Sequence, residues 1–118
     1  MSKVILITGA SSGLGKALAQ ELSHQGHTVY GTSRSPDGDQ GNIRMIAMDV
    51  QEEASVASGV EQVFAEAGRL DVVVNNAGIG IAGPLEDCSM EEVQRVMNTN
   101  VLGVIRVCKA ALPIMRAQ

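Results

Sequence analysis

The segment Thr8–Gly15 (TGASSGLG) constrains the fold of this chain more than any other feature. It directly follows the apolar run Val4–Ile7 and precedes a helical pattern, so its glycines stand where a strand turns into a helix. Gly9, Gly13 and Gly15 let the backbone turn tightly and approach an anion, toward which the next helix directs its N–H groups and positive dipole end. This order of elements is typical of a dinucleotide phosphate site.

The glycine spacing, G-x-x-x-G-x-G, departs from the commoner G-x-G-x-x-G fingerprint. Turns rich in glycine between a strand and a helix also occur for purely structural reasons. A functional interpretation therefore depends on motifs further along the chain.

Short apolar runs alternate with helical patterns along the sequence. The runs are β-branched and nearly continuous, as the strands of a parallel sheet covered on both faces require. They predict strands at Lys3–Thr8, Thr28–Ser33, Ile43–Met48 and Asp71–Asn75. We expect an α/β fold, a Rossmann-like doubly wound parallel sheet with strand order 3-2-1-4 in this portion.

Two helical patterns lie between these strands. Leu14, Leu18 and Leu22 recur every fourth residue and predict a helix with one buried face, which Gly26 ends. A second helix is expected from about residue 52 to 67.

The last third of the chain is predicted to be largely helical. Ser89 and Glu92 have the spacing of a capping box that opens a helix. The stretch Val101–Met115 continues as helix, with Pro113 as a kink or weak point. Its buried side is expected to carry Val104, Ile105, Cys108 and Leu112.

The link between the second and third strands is short. Only Ser35–Asn42 (SPDGDQGN) joins them, whereas a parallel crossover normally takes a dozen residues or more. We interpret this segment as a trimmed crossover loop. If the third strand were instead misassigned, a binding role for Asp49 at its end would weaken.

Composition excludes several classes of protein. The chain has 118 residues, 45% of them hydrophobic, and a net charge of −4 without a long like-charge run, which argues for one acidic globular unit and against nucleic-acid binding. It lacks a signal peptide pattern and an apolar stretch long enough for a membrane span, so we expect a cytoplasmic protein. Cys88 and Cys108 have no metal-site spacing and fit reduced thiols, and we predict no metal.

Four segments together carry a family resemblance. They are TGASSGLG at 8–15, Asp49-Val50, Asn75-Asn76-Ala77-Gly78 and Asn100-Val101-Leu102-Gly103. In order and spacing they resemble the short-chain dehydrogenase/reductase family over essentially the whole chain. The resemblance implies an NAD(P)-dependent oxidoreductase acting on CH-OH groups, which moves a hydride between nicotinamide and an alcohol or ketone.

The charge at the end of the second strand favours NADP over NAD. An NAD site usually offers Asp or Glu to the ribose hydroxyls there, whereas an NADP site has a neutral residue and a nearby Arg for the 2′-phosphate. Here Ser33 takes the place of the acid and Arg34 follows it. Arg34 could instead be a solvated loop residue, and Asp37 and Asp39 nearby would weaken the positive field.

The resemblance also assigns roles to single residues. Asp49 would accept a hydrogen bond from the adenine amino group, with the Val50 N–H against the ring, although a strand-end Asp is often only a helix cap. The Thr8 hydroxyl would brace the backbone near Asn76. The cofactor-binding residues predicted in this way are Gly9, Ser11, Ser12, Gly13, Leu14, Gly15, Ser33, Arg34, Asp49, Val50, Asn76, Ala77 and Gly78.

Asn100 is the one residue that the resemblance makes catalytic. The matching Asn of the family bends a helix and holds a water of the proton relay. The run Met97-Asn98-Thr99-Asn100 consists mostly of poor helix formers, which suits such a bend. Asn98 is a competing candidate, distinguished only by the Val-Leu-Gly that follows Asn100.

The other catalytic groups of the family have no counterpart here. The family uses a Tyr with a Lys four residues later and a Ser that polarises the substrate oxygen, but the only tyrosine is Tyr30, with Arg34 four residues on. We therefore expect residues 1–118 to be the N-terminal part of a single NAD(P)-binding domain, truncated within or after the long helix following strand 4. The alternative is a non-catalytic module that binds a dinucleotide or a partner.

Substrate and assembly are expected only by analogy. The stretch Gly78–Leu85 and the helix ending Leu112–Met115 look similar to hydroxysteroid- and retinol-type members, which suggests a small apolar alcohol or ketone. A complete enzyme of this family is expected to form a homodimer or homotetramer through the long helix near Asn100.

Overall fold

Four strands form one parallel sheet in the order β3-β2-β1-β4. The computed structural model describes residues 1–118. The strands are β1 (Val4–Ile7), β2 (Thr28–Ser33), β3 (Arg44–Ala47) and β4 (Val72–Val74). The predicted α/β fold, its parallel sheet and its strand order are confirmed, and β2 has the predicted bounds.

Four α-helices connect or follow these strands. They are α1 (Gly13–His24), α2 (Glu53–Ala67), α3 (Met90–Met97) and α4 (Gly103–Ala117). A 3-10 turn covers Leu85–Asp87, and a π-helical turn, Asn98–Leu102, joins α3 to α4. None of the helices has the length and hydropathy that a bilayer crossing needs.

Both faces of the sheet are covered, because successive strand residues point to opposite sides. Val4 and Leu6 of β1 pack with α2 and α4 in one cluster of 12 buried residues. Ile5 and Ile7 pack with α1 in a second cluster of 7. This is the doubly covered arrangement that continuous apolar strands indicate.

The short link between β2 and β3 is a loop without a helix. Ser33 pairs with Ala47 in parallel register, so the third strand is correctly assigned. Asp39 holds the loop: its carboxylate accepts the Met45 N–H at 2.9 Å and an Nη1 hydrogen of Arg44 at 3.2 Å. The carboxyl end of β3 therefore lies beside that of β2, as a shared binding edge requires.

The leucine stripe predicted for α1 is wrong in part. Leu14 is 83% exposed and Leu18 is 37% exposed, whereas the buried residues of α1 are Gly15 and Ala19. A spacing of four residues rotates by about 40° per step, so only Leu22 reaches the sheet cluster. Small residues form the contact because the helix lies close to the strands.

The buried side predicted for α4 is also wrong in part, although Val104 and Cys108 are half-buried. Its fully buried residues are Gly103, Val107 and Ala111, which lie against α2 and the segment after β3. Ile105 is 48% exposed and Leu112 is 46% exposed. Pro113 lies inside α4, which continues to Ala117.

The capping box at the start of α3 is confirmed. The Glu92 N–H donates to Ser89 Oγ at 3.1 Å, and the Ser89 N–H donates to Glu92 Oε1 at 3.1 Å. Hydrogen bonds from the Ser89 N–H and the Ser89 side chain lower the pKa of the Glu92 carboxyl. The helix that leads into the π-helical turn thus has a fixed beginning.

Candidate dinucleotide-binding site

A cavity of about 760 Å³ opens at the carboxyl ends of the strands. This is the side on which open α/β sheets bind ligands. Its polar and small lining comes from the ends of all four strands and from the π-helical turn. The lining residues are Gly9, Ser11, Ser12, Thr32, Ser33, Arg34, Ser35, Met48, Asp49, Val50, Gln51, Asn76, Ala77, Gly78, Ile79 and Thr99.

Gly9 and Gly15 permit close backbone packing at the turn after β1. Gly9 has φ +66°, and a Cβ there would lie 2.9 Å from the Cα of Ala77. A Cβ at Gly15 would overlap the Asn76 amide and the Gly9 carbonyl oxygen. These two glycines bring the turn, α1 and the segment after β4 together, which is a packing role beside any contact with phosphate.

Gly13 has a different surrounding. Its φ of +59° favours glycine, but no atom lies within 4 Å of where its Cβ would stand. Gly13, Leu14 and Gly15 lie outside the cavity lining and form the first turn of α1 beside it.

No side chain caps the N-terminus of α1. The N-cap Ser12 has extended backbone, its side chain makes no capping bond, and the first turn carries no acidic residue. The first N–H groups of a helix have no acceptor within the helix, and the helix dipole makes this end positive. Because Ser11 and Ser12 line the cavity, an anion bound there would meet unsatisfied donors.

Arg34 supplies a cation at the cavity wall. It is exposed and takes part in none of the ion pairs of the structure, which join Arg44 to Asp39 and Glu66 and Arg69 to Asp71. The Met45 N–H and Arg44 also lower the pKa of Asp39. The Asp39 carboxylate is thus engaged at β3, and the neutralisation of Arg34 considered from the sequence does not occur as an ion pair.

Asp49 forms a turn of its own at the end of β3. Its Oδ1 accepts the Gln51 N–H at 3.0 Å, and its own N–H donates to Ser55 Oγ at 2.8 Å. It does not cap α2, whose N-cap is Glu52. No protein group donates a hydrogen bond to the other carboxylate oxygen, Oδ2, so an exocyclic amine could bind to it.

Thr8 braces the segment after β4. The hydroxyl of this 1% exposed residue accepts the N–H groups of Asn76 and Ala77, both at 3.0 Å. The Asn76 side chain in turn donates to the carbonyl oxygens of Thr8 and Gly9 at 3.2 and 3.0 Å. The bracing inferred from the family resemblance is present.

Asn100 lies behind the cavity wall in the π-helical turn. The run of poor helix formers does interrupt the α-helix, as the sequence predicts. Asn100 Oδ1 accepts the Ile79 N–H at 2.9 Å, and its Nδ2 donates to the Ile79 carbonyl at 2.7 Å. Asn98, the competing candidate, instead accepts at Oδ1 from Nη2 of Arg106 at 2.6 Å.

Sequence reasoning missed several lining residues. Thr32 is buried, and its hydroxyl accepts the Gly9 N–H at 3.2 Å. Gln51 and Thr99 also line the wall near Asp49, and Gln51 Nε2 donates to Thr99 Oγ1 at 2.8 Å. The polar Thr32 inside an apolar strand was a signal available in the sequence, whereas the contact between residues 51 and 99 was not.

Tyr30 is a core residue. It is 6% exposed, and burial together with the charge of Glu66 raises the pKa of its hydroxyl. A tyrosine acid/base needs the opposite shift. The structure contains no group of three His, Cys, Asp or Glu side chains that could hold a metal ion.

Comparison with known proteins places these features in a family. The family model of the short chain dehydrogenases matches residues 3–118. The 3-ketodihydrosphingosine reductase of Bacteroides thetaiotaomicron is 57% identical over 114 residues, which cover 97% of this chain and 42% of that protein.

Two solved structures are similar to the whole fold. The Brucella melitensis 3-ketoacyl-(acyl-carrier-protein) reductase complexed with NADH has a TM-score of 0.92 at 32% identity, covering 98% of this chain and 51% of its own. ElxO with NADP bound has a TM-score of 0.90 at 34% identity, covering 99% and 52%.

The chain thus spans about half the length of these relatives. One similar structure contains NADH and the other NADP, so the shared fold accommodates both cofactors. Four motifs, the sheet order and a family match over nearly every residue agree, and the chain belongs to the short-chain dehydrogenase family.

Proposed function

We propose that this chain binds NADP as the N-terminal part of a single dinucleotide-binding domain of a short-chain oxidoreductase. The observation that carries this proposal is the uncapped first turn of α1, which adjoins the same cavity as Arg34 and Asp49. The residues we propose as cofactor ligands are those predicted from the sequence, with Thr32, Gln51 and Thr99 added as wall residues.

Charges along the cavity fit a dinucleotide. The N–H groups of the first turn of α1 would bind the pyrophosphate, and the Asp49 Oδ2 would accept from the adenine amine. Arg34 and the hydroxyl of Ser33 would bind a 2′-phosphate, because no carboxylate of the protein pairs with Arg34.

When bound, the nicotinamide supplies or accepts the hydride. The residues of this chain would hold and orient the nicotinamide. Ala77 and Gly78 leave room beside the backbone, and the Thr8 hydroxyl fixes that backbone by accepting its N–H groups. We propose that Asn100 acts in the proton relay of a complete active site, from the turn in which it holds Ile79.

A ketone or the corresponding alcohol is the proposed substrate. The 57% identical relative is named as a reductase of a 3-keto compound. Ile81 and Leu85 come shortly after the lining residue Ile79 in sequence. Both side chains are exposed, Leu85 by 82%, and they suit an apolar substrate. Two free cysteines, Cys88 and Cys108, fit the reducing cytoplasm that we propose as the compartment.

A homodimer or homotetramer is the proposed state of a complete enzyme. Exposed large apolar side chains on α3, the π-helical turn and α4 support this proposal, since such groups favour association. They are Met90, Met97, Val101, Leu102, Ile105 and Leu112.

Titration of the 118-residue chain with NADPH and NADH, followed by cofactor fluorescence, tests the proposed binding. We expect tighter binding of NADPH. Arg34→Gln should raise the NADPH Kd about tenfold or more and leave that for NADH within about twofold, because only one ligand carries the phosphate. The matched control is Arg116→Gln, at an exposed position in the last turn of α4.

Tighter binding of NADH by the wild-type chain would refute the NADP preference, and binding of neither cofactor would refute the site. The alternative function, a binding module without turnover, is separated by a ketone panel in the same cuvette. We expect no NADPH oxidation by residues 1–118, since the only tyrosine is buried in the core. Turnover would show that catalysis resides in residues to which we assign no such role.

A further inference from the structure

Arg106 joins two walls of the cavity from behind. It is half-buried near the start of α4. Its Nη1 donates to the Val50 carbonyl at 2.8 Å and to the Asn98 carbonyl at 3.1 Å, and its Nη2 donates to Asn98 Oδ1 at 2.6 Å. One guanidinium thus holds residues 48 positions apart in sequence.

All three acceptors of Arg106 are neutral oxygens. The ion pairs of the structure involve Arg44 and Arg69, so no carboxylate competes for this guanidinium. Hydrogen bonds from a charged donor are about twice as strong as neutral ones, and the planar fork fixes their directions. Nη1 alone bonds to both segments, and the fork adds the third bond, from Nη2 to Asn98 Oδ1.

Two of the three bonds fall on the beginning of the π-helical turn. The Asn98 carbonyl accepts the Gly103 N–H, five residues on, and Arg106 adds a second donor to the same oxygen. Together with the bond to Asn98 Oδ1, this stabilises the wider turn at that position. The π-helical turn also sets the direction of the Asn100 side chain, which binds the backbone of Ile79.

The third bond fixes the wall beside Asp49. Val50 is buried and lines the cavity, and Gly103 lets it approach α4: a Cβ at Gly103 would lie 2.9 Å from Val50 Cγ2. A second link runs parallel to this one, from Gln51 Nε2 to Thr99 Oγ1 at 2.8 Å. The wall after β3 and the turn that carries Asn100 are therefore in direct contact.

We propose that Arg106 is a positioning residue of the cofactor site: it fixes the segment after β3, where adenine would bind, relative to the turn that holds Asn100 and Ile79. In its binding consequence the inference rests on the proposed function. In its structural consequence it stands alone, because the contacts exist in the ligand-free chain.

The test compares Arg106→Met, which keeps an unbranched apolar stem but no donors, with Lys109→Met. Lys109 is exposed on the same helix and serves as the matched loss of one positive charge. Amide hydrogen exchange of the ligand-free chain, resolved by NMR, is read at Ile79 and at Val29 in the buried strand β2. NADPH titration of the same variants gives Kd.

In Arg106→Met we expect exchange at the Ile79 N–H to accelerate about tenfold while that at Val29 stays within about twofold. The Kd for NADPH should rise about fivefold or more. Lys109→Met should change neither. A general loss of stability would accelerate both amides equally, so the ratio of the two rates separates positioning from unfolding.

Unchanged exchange at Ile79 in folded Arg106→Met, or equal acceleration at both amides, would overturn the proposal. Arg106→Lys, with the charge and donors on one atom only, covers the case in which Arg106→Met does not fold. It should accelerate Ile79 selectively but less, and wild-type exchange in it would count equally against the proposal. If the wild-type chain binds no NADPH, the proposed function fails, and the exchange ratio still decides the role of Arg106.

Discussion

Replacement of Thr8 tests the brace between β1 and the segment after β4. Thr8→Val keeps the shape and the methyl group of this 1% exposed side chain but removes the hydroxyl. The Asn76 N–H retains the Val74 carbonyl at 3.1 Å as a second acceptor, whereas the Ala77 N–H loses its acceptor. One orphaned, partly buried donor costs about 2 kcal/mol of unfolding free energy.

The control for this prediction is Thr8→Ser, which keeps the hydroxyl and removes the buried methyl group, at a cost of about 1 kcal/mol. Urea unfolding followed by far-UV circular dichroism measures both. With an m-value of about 2 kcal/mol/M, Thr8→Val should lower the midpoint by about 1 M, and Thr8→Ser by about half as much. If only hydrophobicity mattered, Thr8→Val would be more stable than Thr8→Ser, which is the opposite order. A Thr8→Val protein at least as stable as Thr8→Ser would therefore refute the brace.

Two further predictions concern other positions. Gly15→Ala should destabilise the chain by about 1–3 kcal/mol in the same urea assay, because its Cβ would overlap the turn after β1, whereas Gly80→Ala, with open space around it, should stay within about 0.5 kcal/mol; equal effects would contradict the close packing. Arg69 and the Val4 N–H lower the pKa of Asp71 from 3.8, so its stabilising contribution is complete above about pH 4 and is lost as pH falls through the lower folded value. Thermal unfolding as a function of pH should therefore show a flatter acid limb in Asp71→Asn, and an unchanged limb would show that other carboxylates dominate.

Elements with a local physical cause were predictable from the sequence. The bounds of β2 follow from its β-branched run, the start of α3 follows from a capping box, and the interruption before α4 follows from Asn98, Thr99 and Asn100. In each case the residues that decide the structure lie within a few positions of one another.

Helix faces were not predictable in the same way. Leucine periodicity pointed to Leu14 and Leu18 on α1, but the buried residues are Gly15, against the turn after β1, and Ala19, which packs with the strand residues. A prediction from the spacing of large apolar side chains misses contacts that small residues make. The same cause explains why Gly103, with Val107 and Ala111, is buried on α4.

Contacts between distant segments were also beyond the local patterns of the sequence, apart from the Thr8 brace that the family resemblance implied. Most of the residues predicted to bind the cofactor line one cavity, because parallel strands bring their carboxyl ends to a common edge, whereas Gly13, Leu14 and Gly15 lie beside it. The role of Arg106 depends on where α4 crosses the segment after β3, which no local pattern encodes.

The bonds that close the cavity join parts of the chain that are far apart in sequence. Thr8 and Ala77 are 69 positions apart, and Gln51 and Thr99 are 48 apart. Each such contact closes a long loop, whose entropy is lost before the contact can compensate for it, and folding with many distant pairings is slow. A ligand that touches several strand ends would therefore bind only the folded chain, and it would shift the folding equilibrium toward the folded state by mass action.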